Sequence, residues 1–409
     1  MNIIFRPTAP KERISQIDIL RGFALFGILL VNVFGYNSSF FDFSGFYKTF
    51  EDPLNSTIFD LVIGFGADKF IFIFSFLFGV GFSIMYLKYC ADERAFSNLY
   101  LRRLLVLMMF GIIHIVFFWA GDILFSYSLM GVILLLSRKL PSGLLLFLSV
   151  FFYFFPIAYI AIESILPFLP SALSSVTDIT MPEVIDIYSE GSYLEILKLR
   201  INEYFAFRNI NLIYYGPKIL SLFFFGFLFY KHKYFERINS SKSKYFVIFI
   251  ILLSIGIFLN LFTENIVNSL ANPETSTFYT AIYMGVFEVT NIFLGFGYIM
   301  LVLILSKVSF FKTILNPLKY SGRMALTNYL FQSVIFTTIM YSYGLGYFGS
   351  LQPWQLLIFA IVVFVIQLIF SKIWLKNYRF GPLEWVWRKS TYLMKGRNKI
   401  VNKQIRQDQ

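Results

Sequence analysis

The chain has 409 residues, 57% hydrophobic, 21% aromatic and only 14% charged, where globular domains carry about 25%. That balance excludes a soluble globular protein, and continuous apolar runs of helix length exclude a β-barrel built from alternating ten-residue segments. The 35 basic against 23 acidic residues give a net charge of +12, but the basic residues flank apolar runs and so report membrane topology, not a nucleic-acid partner.

A hydrocarbon core about 30 Å thick needs roughly 20 residues of apolar helix. By that measure the sequence predicts about ten spans, at 17–36, 59–87, 101–120, 123–137, 143–166, 214–231, 244–263, 278–305, 321–342 and 353–375. The expected fold is an all-α polytopic membrane bundle forming one integral domain over 1–409. The first run lacks a small-residue cleavage site and reads as a span, not a cleaved leader.

Every second loop is basic: Arg6, Lys11 and Arg13; Lys88, Arg94, Arg102 and Arg103; Arg138 and Lys139; Lys231 to Lys244; Lys307 to Arg323; and the tail after Lys372. The alternate loops carry Asp42, Glu51 and Asp52, then Asp178, Glu183, Asp186 and Glu190, then Glu264 and Glu274. This places both termini in the cytoplasm, with 1–16 and the basic tail 376–409 on that side and the long segment 167–213 outside. Within that segment, Ser192 to Phe207 has helical spacing suited to lying along the membrane surface.

Polar residues inside the spans are the candidates for chemistry, because lipid offers them no partner. Asp18 and Arg21 are three apart and read as an ion pair at the cytoplasmic edge. Asn32 lies a full span outward and is too polar to face lipid. Arg102 and Arg103 mark the cytoplasmic end of the third span. His114 follows Arg103 by eleven residues, roughly 16–17 Å along a helix. Imidazole is the side chain best suited to moving protons at neutral pH. A helix break at Gly121 would fold Asp122 back toward His114, fixing the imidazole tautomer as in general bases. Glu288 sits mid-span and must be paired, protonated or solvated. Arg323 lies at the cytoplasmic edge of the ninth span, and Asn328 and Gln332 form an i, i+4 stripe suited to pocket lining or to interhelical bonding. The single cysteine, Cys90, and the absence of ligand spacing or phosphate-cradling loops point to no metal and no permanently bound cofactor.

Several strings together resemble one family. Ile17-Asp18-Ile19-Leu20-Arg21-Gly22-Phe23-Ala24-Leu25 with Val31-Asn32, Phe74 to Gly79, Arg102-Arg103-Leu104 through His114 to Gly121-Asp122-Ile123-Leu124, Gly322 to Tyr329, and Phe380-Gly381-Pro382-Leu383-Glu384-Trp385-Val386-Trp387-Arg388 resemble the DUF418, or YeiB-like, bacterial membrane proteins. That family is similar in its opening motif to the acyltransferase-3 and heparan glucosaminide acetyltransferase superfamily. The resemblance implies a bacterial cytoplasmic membrane location and acyl transfer from a cytoplasmic acyl-CoA, usually acetyl-CoA, to a cell-envelope glycan, lipid or small-molecule acceptor. It puts Arg102 and Arg103 in the place of the arginines that grip the donor phosphates. Acyltransferase-3 proteins carry their histidine near the end of the first span, where this chain has Asn32. The base is then His114, or Asp122 or Glu288 acting alone.

Three readings follow. In the first, a membrane acyltransferase, His114 is the base and Asp122 orients it. Asn32, Glu288, Asn328 and Gln332 meet the substrate, while Arg102, Arg103 and Arg323 face the donor. In the second, a proton-coupled transporter or exporter, Glu288 and His114 form a relay. In the third, a non-enzymatic membrane scaffold, the polar groups only join helices.

Overall fold

The computed structural model of the protein describes residues 13–166, 168–172, 179–240, 242–274 and 276–392, which contain helices and no strand. In chain order the helices are α1 (Ser15–Asn37), α2 (Phe43–Lys48), α3 (Pro53–Gly66), α4 (Lys69–Tyr89), α5 (Glu93–Phe117), α6 (Leu124–Ser137), α7 (Ser142–Glu163), α8 (Met181–Glu190) and α9 (Tyr193–Ala206). They continue as α10 (Gly216–Lys231), α11 (Tyr234–Ser240), α12 (Lys242–Leu270), α13 (Tyr279–Leu305), α14 (Ser309–Arg323), α15 (Ala325–Met340), α16 (Pro353–Asn377) and α17 (Pro382–Tyr392).

Eight helical segments among the described residues are long and apolar enough to cross a membrane. They cover eight of the ten expected spans. The fourth expected span is the short α6, Leu124–Ser137. The ninth, expected at 321–342, is cut at Met324, whose non-helical backbone (φ −115°, ψ 31°) separates α14 from α15. The second is also broken: α3 ends at Gly66, and Asp68 takes a left-handed φ of 65° before α4 begins. A non-glycine residue there is uncommon, and it turns the Asp68 carboxylate into the bundle.

Helix starts follow local chemistry. Asp52 caps α3 ahead of Pro53, and Asp92 caps α5 by accepting from the Ala95 amide at 2.9 Å. Thr180 with Glu183 and Ser192 with Glu195 form capping boxes for α8 and α9. The helix expected over Ser192 to Phe207 is present as α9. Its Ile196, Leu199, Arg200 and Glu203 are buried where α9 packs against α5, while Leu194 and Phe205 on the same helix stay exposed.

Close packing sets the frame of the site. A Cβ on Gly22 would stand 2.1 Å from the Leu318 carbonyl oxygen, and one on Gly322 would stand 1.9 Å from that of Asp18. The α1 and α14 backbones therefore touch, as small residues permit in membranes. The core joins α1, α5, α6, α10, α15 and α16 through residues such as Leu29, Leu104, Phe223 and Phe336. Arg13 and Tyr392 line one cavity, so the described chain starts and finishes at the same end of the bundle. The segment expected as a basic tail carries α17, which folds back onto α5; residues 1–12 and 393–409 lie outside the described residues.

Candidate active site

Helix α5 stops one turn after His114. The amides of Phe118 and Trp119 both donate to the His114 carbonyl at 2.9 Å, closing the helix before Gly121 is reached. The chain then reverses, and Asp122 caps α6 by accepting from the Phe125 amide at 2.7 Å. Its other carboxylate oxygen lies 2.8 Å from His114 Nδ1. The break thus falls three residues earlier than expected, at Phe118, but it brings Asp122 to His114. Gly111 makes the fold-back fit, since a Cβ there would lie 2.5 Å from the Phe125 nitrogen.

The other face of the imidazole meets a residue that sequence reasoning missed. His114 Nε2 lies 2.7 Å from Ser333 Oγ on α15, and Ser333 Oγ lies 2.7 Å from the Tyr36 hydroxyl on α1. Tyr36, His114 and Ser333 are almost wholly buried, and the Asp122 side chain is fully so. One proton arrangement satisfies every group: Tyr36 donates to Ser333, Ser333 to Nε2, and Nδ1–H to the Asp122 carboxylate, which also takes the Phe125 amide. This is the serine–histidine–aspartate constellation, recognised by geometry and not by chain order.

A cavity of about 230 Å³ opens at the end of the bundle that holds Arg13 and Tyr392. Five guanidiniums stand at its mouth, on Arg13, Arg21, Arg103, Arg323 and Arg388, against two carboxylates, Asp18 and Glu384. Asp18 is taken up by Arg21 at 3.3 Å and Arg13 at 3.7 Å. Glu384 accepts from the Thr327 amide at 3.0 Å and its hydroxyl at 2.6 Å; burial pushes its carboxyl up, and those hydrogen bonds pull it back. Arg103 stacks on Trp387 at 3.8 Å and Arg388 over Phe380 at 4.7 Å. Burial lowers Arg388 to about 10, still far above neutrality, so it keeps its charge. Excess positive charge held in a recess is a site for an anion.

Below the mouth the walls are apolar, with Leu25, Ile28, Phe74 and Phe78, and the floor is Ile123, Leu124, Tyr127 and Tyr329. The Tyr329 ring centroid is 5.3 Å from that of His114, and its hydroxyl donates to the Gly121 carbonyl at 3.3 Å. Tyr329 is therefore the partition between the cavity and the buried polar row. A separate apolar groove runs along Ile113, Phe117, Phe118, Val334, Thr337 and Thr338 and is closed by Tyr193 and Tyr343. Val334 follows Ser333 directly, and the Phe118 ring centroid is 6.5 Å from that of His114.

The remaining candidates separate. Arg103 and Arg323 line the cavity, but Arg102 does not; its Nε reaches the Asn98 carbonyl at 3.4 Å. The Asp18–Arg21 pair expected as structural stands at the cavity mouth. Asn32 is half-buried one turn before Tyr36, within reach of its hydroxyl. Asn328 donates to Ser321 Oγ at 3.1 Å and Ser371 Oγ at 3.0 Å, and Gln332 to Gln367 at 2.9 Å. These two bind α15 to α14 and α16 and stand outside the cavity lining, so the interhelical reading of the stripe describes them.

Glu288 is held in a second buried network. Lys218 Nζ donates to Glu288 at 2.6 Å and to Asp68 at 2.8 Å; Tyr153 and Asn291 donate to Glu288 at 2.9 and 3.2 Å, and Tyr214 also bonds it. Lys69 is buried nearby, 4.5 Å over the Phe287 ring. Two lysines against two carboxylates balance the charge, as a low-dielectric interior demands. The partners of Glu288 and those of His114 have no residue in common.

Membrane-length helices closed around an arginine-mouthed cavity and a buried polar row define a multi-pass membrane protein with an internal site. The chain belongs to the DUF418 family. Residues 229–394 match the family described as protein of unknown function DUF418. The chain is 32% identical over 403 residues to YxaH of Bacillus subtilis strain 168, covering 95% of this chain and 96% of that protein. It is 28% identical over 415 residues to YeiB of Escherichia coli K12, covering 93% and 96%, and 29% identical over 395 residues to a 39.9 kDa protein from the amylase 3′ region of Bacillus acidopullulyticus, covering 94% and 96%. All three are described as uncharacterized. No solved structure matches the chain.

Proposed function

We propose that the protein is a transmembrane acyltransferase of the bacterial cytoplasmic membrane. It moves an acyl group from a cytoplasmic acyl-CoA to a hydroxyl or amine of a cell-envelope glycan, lipid or small molecule. The observation that carries this reading is the cavity: guanidiniums at the mouth, an apolar shaft, and a floor one aromatic ring from His114. The alternation of loop charge supports a cytoplasmic mouth.

Coenzyme A fits that shape as a co-substrate. Its phosphates meet Arg103, Arg388 and their neighbours, and its arm enters the apolar shaft. Arg103 and His114 stand eleven residues apart on α5, roughly 16–17 Å, a separation that a pantetheine arm spans. Movement of the Tyr329 ring joins the cavity floor to the polar row. The acceptor approaches from the other face, along the groove beside Phe118 and Val334. His114 then acts as the base, with Asp122 holding its tautomer and stabilising the imidazolium.

Titration calorimetry of coenzyme A into the detergent-purified protein tests the donor. Saturable binding that weakens about 10- to 100-fold in Arg103→Ala and in Arg388→Ala is expected, the loss of one charge-assisted contact each. An absence of binding at millimolar coenzyme A would overturn the reading.

A further inference from the structure

We propose that Ser333 is a nucleophile and carries the acyl group as a covalent ester before the acceptor receives it. The donor in this proposal rests on the acyl-CoA reading; the nucleophilicity of Ser333 does not.

Three observations point to it. Serines and threonines inside membrane helices commonly return their hydroxyl to a carbonyl one turn back. Thr337 and Thr338, in the next turn of α15, do so at 2.7 Å each. Ser333 instead meets side chains from two other helices, His114 on α5 and Tyr36 on α1. Second, the base is itself oriented: Asp122 sits on Nδ1, so the nitrogen facing Ser333 is the one free to accept a proton. A helix-joining serine needs neither an oriented imidazole nor a carboxylate behind it. Third, Ser333 is buried between two recesses, with Tyr329 of the cavity floor one turn before it and Thr337 of the apolar groove one turn after.

The chemistry balances without any further reagent. Ser333 Oγ bonds to the thioester carbonyl carbon while its proton passes to His114 Nε2. Collapse of the tetrahedral adduct breaks the carbon–sulfur bond, and the thiolate leaves with the proton from Nε2. In the second half, the acceptor hydroxyl gives its proton to Nε2 and attacks the acyl-serine carbonyl; Ser333 Oγ leaves and recovers that proton. Asp122 and Tyr36 are positioning residues, the first for the imidazole and the second for Oγ. Placing the ester at Ser333 lets donor and acceptor react in turn, so neither has to cross the membrane.

A fluorophosphonate probe, which phosphonylates activated serines, tests the proposal without any acyl donor. The full-length protein in detergent is treated with the probe, and separately with acetyl-CoA, then quenched in acid, digested and mapped by mass spectrometry. Both adducts are expected on the peptide holding Ser333, with labelling slowed at least about 100-fold in Asp122→Asn. Ser333→Ala is expected to take no adduct while still binding coenzyme A, the check that it has folded. Probe labelling of Ser333 without coenzyme A binding would uphold the nucleophile and sink the acyl-CoA donor. A wild-type protein that binds coenzyme A yet takes neither adduct would overturn the proposal, leaving His114 to activate the acceptor directly.

Discussion

Ser333 and His114 are 219 residues apart in the chain and touch at 2.7 Å in the interior of a membrane bundle. Neither is exposed to solvent, and the imidazole's second nitrogen is already taken by Asp122. A buried polar row satisfied in one proton arrangement is rigid, and rigidity of this kind is what a proton-transferring group needs.

Asp122→Asn is the sharpest probe of that row. The amide presents a donor as well as an acceptor to Nδ1, which favours the tautomer with its proton on Nε2, facing Ser333. Turnover should fall about 10³- to 10⁴-fold with the affinity for coenzyme A unchanged. A parallel loss of affinity would mean that the carboxylate acts on the donor site instead.

The two neighbouring arginines of α5 should behave differently. Arg103 lines the cavity, whereas Arg102 stands outside it. Arg102→Ala should leave coenzyme A affinity within about twofold, because a half-exposed charge outside the recess is screened. Calorimetry on Arg102→Ala beside Arg103→Ala checks this; equal losses would refute the assignment of the mouth.

The Lys218 network predicts a stability effect without a chemical one. Lys218→Met leaves Asp68 and Glu288 buried without the ammonium they share, a change that costs about 3–5 kcal/mol. Thermal unfolding in detergent should shift down accordingly, while probe labelling of Ser333 at low temperature proceeds at the wild-type rate. Loss of labelling in a variant that is still folded would tie the network to the chemistry.

Glu203 on α9, outside the spans, supplies a pH dependence. Burial pushes its carboxyl above the ordinary value of 4.5, with Ser39 and Tyr188 bonded to it. A raised carboxyl pKa means that the fold prefers the protonated form. This contribution is full below 4.5 and is lost as pH rises through the folded-state value. Melting temperatures recorded from acid to neutral pH should fall across that window in the wild type, and the slope should shrink in Glu203→Gln. An unchanged slope would assign it to another group.

How much of this was legible in the sequence depends on the range of each contact. Hydropathy sufficed for eight of the ten expected spans, because lipid acts on every residue of a span alike. The His114–Asp122 pair was legible because eight residues and a chain reversal separate its members. Ser333 was not, although it follows Gln332 in a visible polar stripe, because nothing local records a partner 219 residues away. Arg102 and Arg103 looked equivalent for another reason: α5 is apolar nearly all round, so its sequence does not reveal which face turns inward. The break at Asp68 was hidden too, since an apolar run reads the same whether its helix is continuous or turned.

The most direct test is transfer itself. Radiolabelled acetyl-CoA is supplied to bacterial membrane vesicles that contain the wild-type protein, His114→Ala or Ser333→Ala, with the vesicle surface that faced the cytoplasm turned outward. Label is expected to leave coenzyme A for a non-CoA product, together with an acid-stable adduct on the protein, in the wild type alone. Label that remains on coenzyme A in wild-type vesicles, or that moves equally well in His114→Ala, would contradict the proposed transfer.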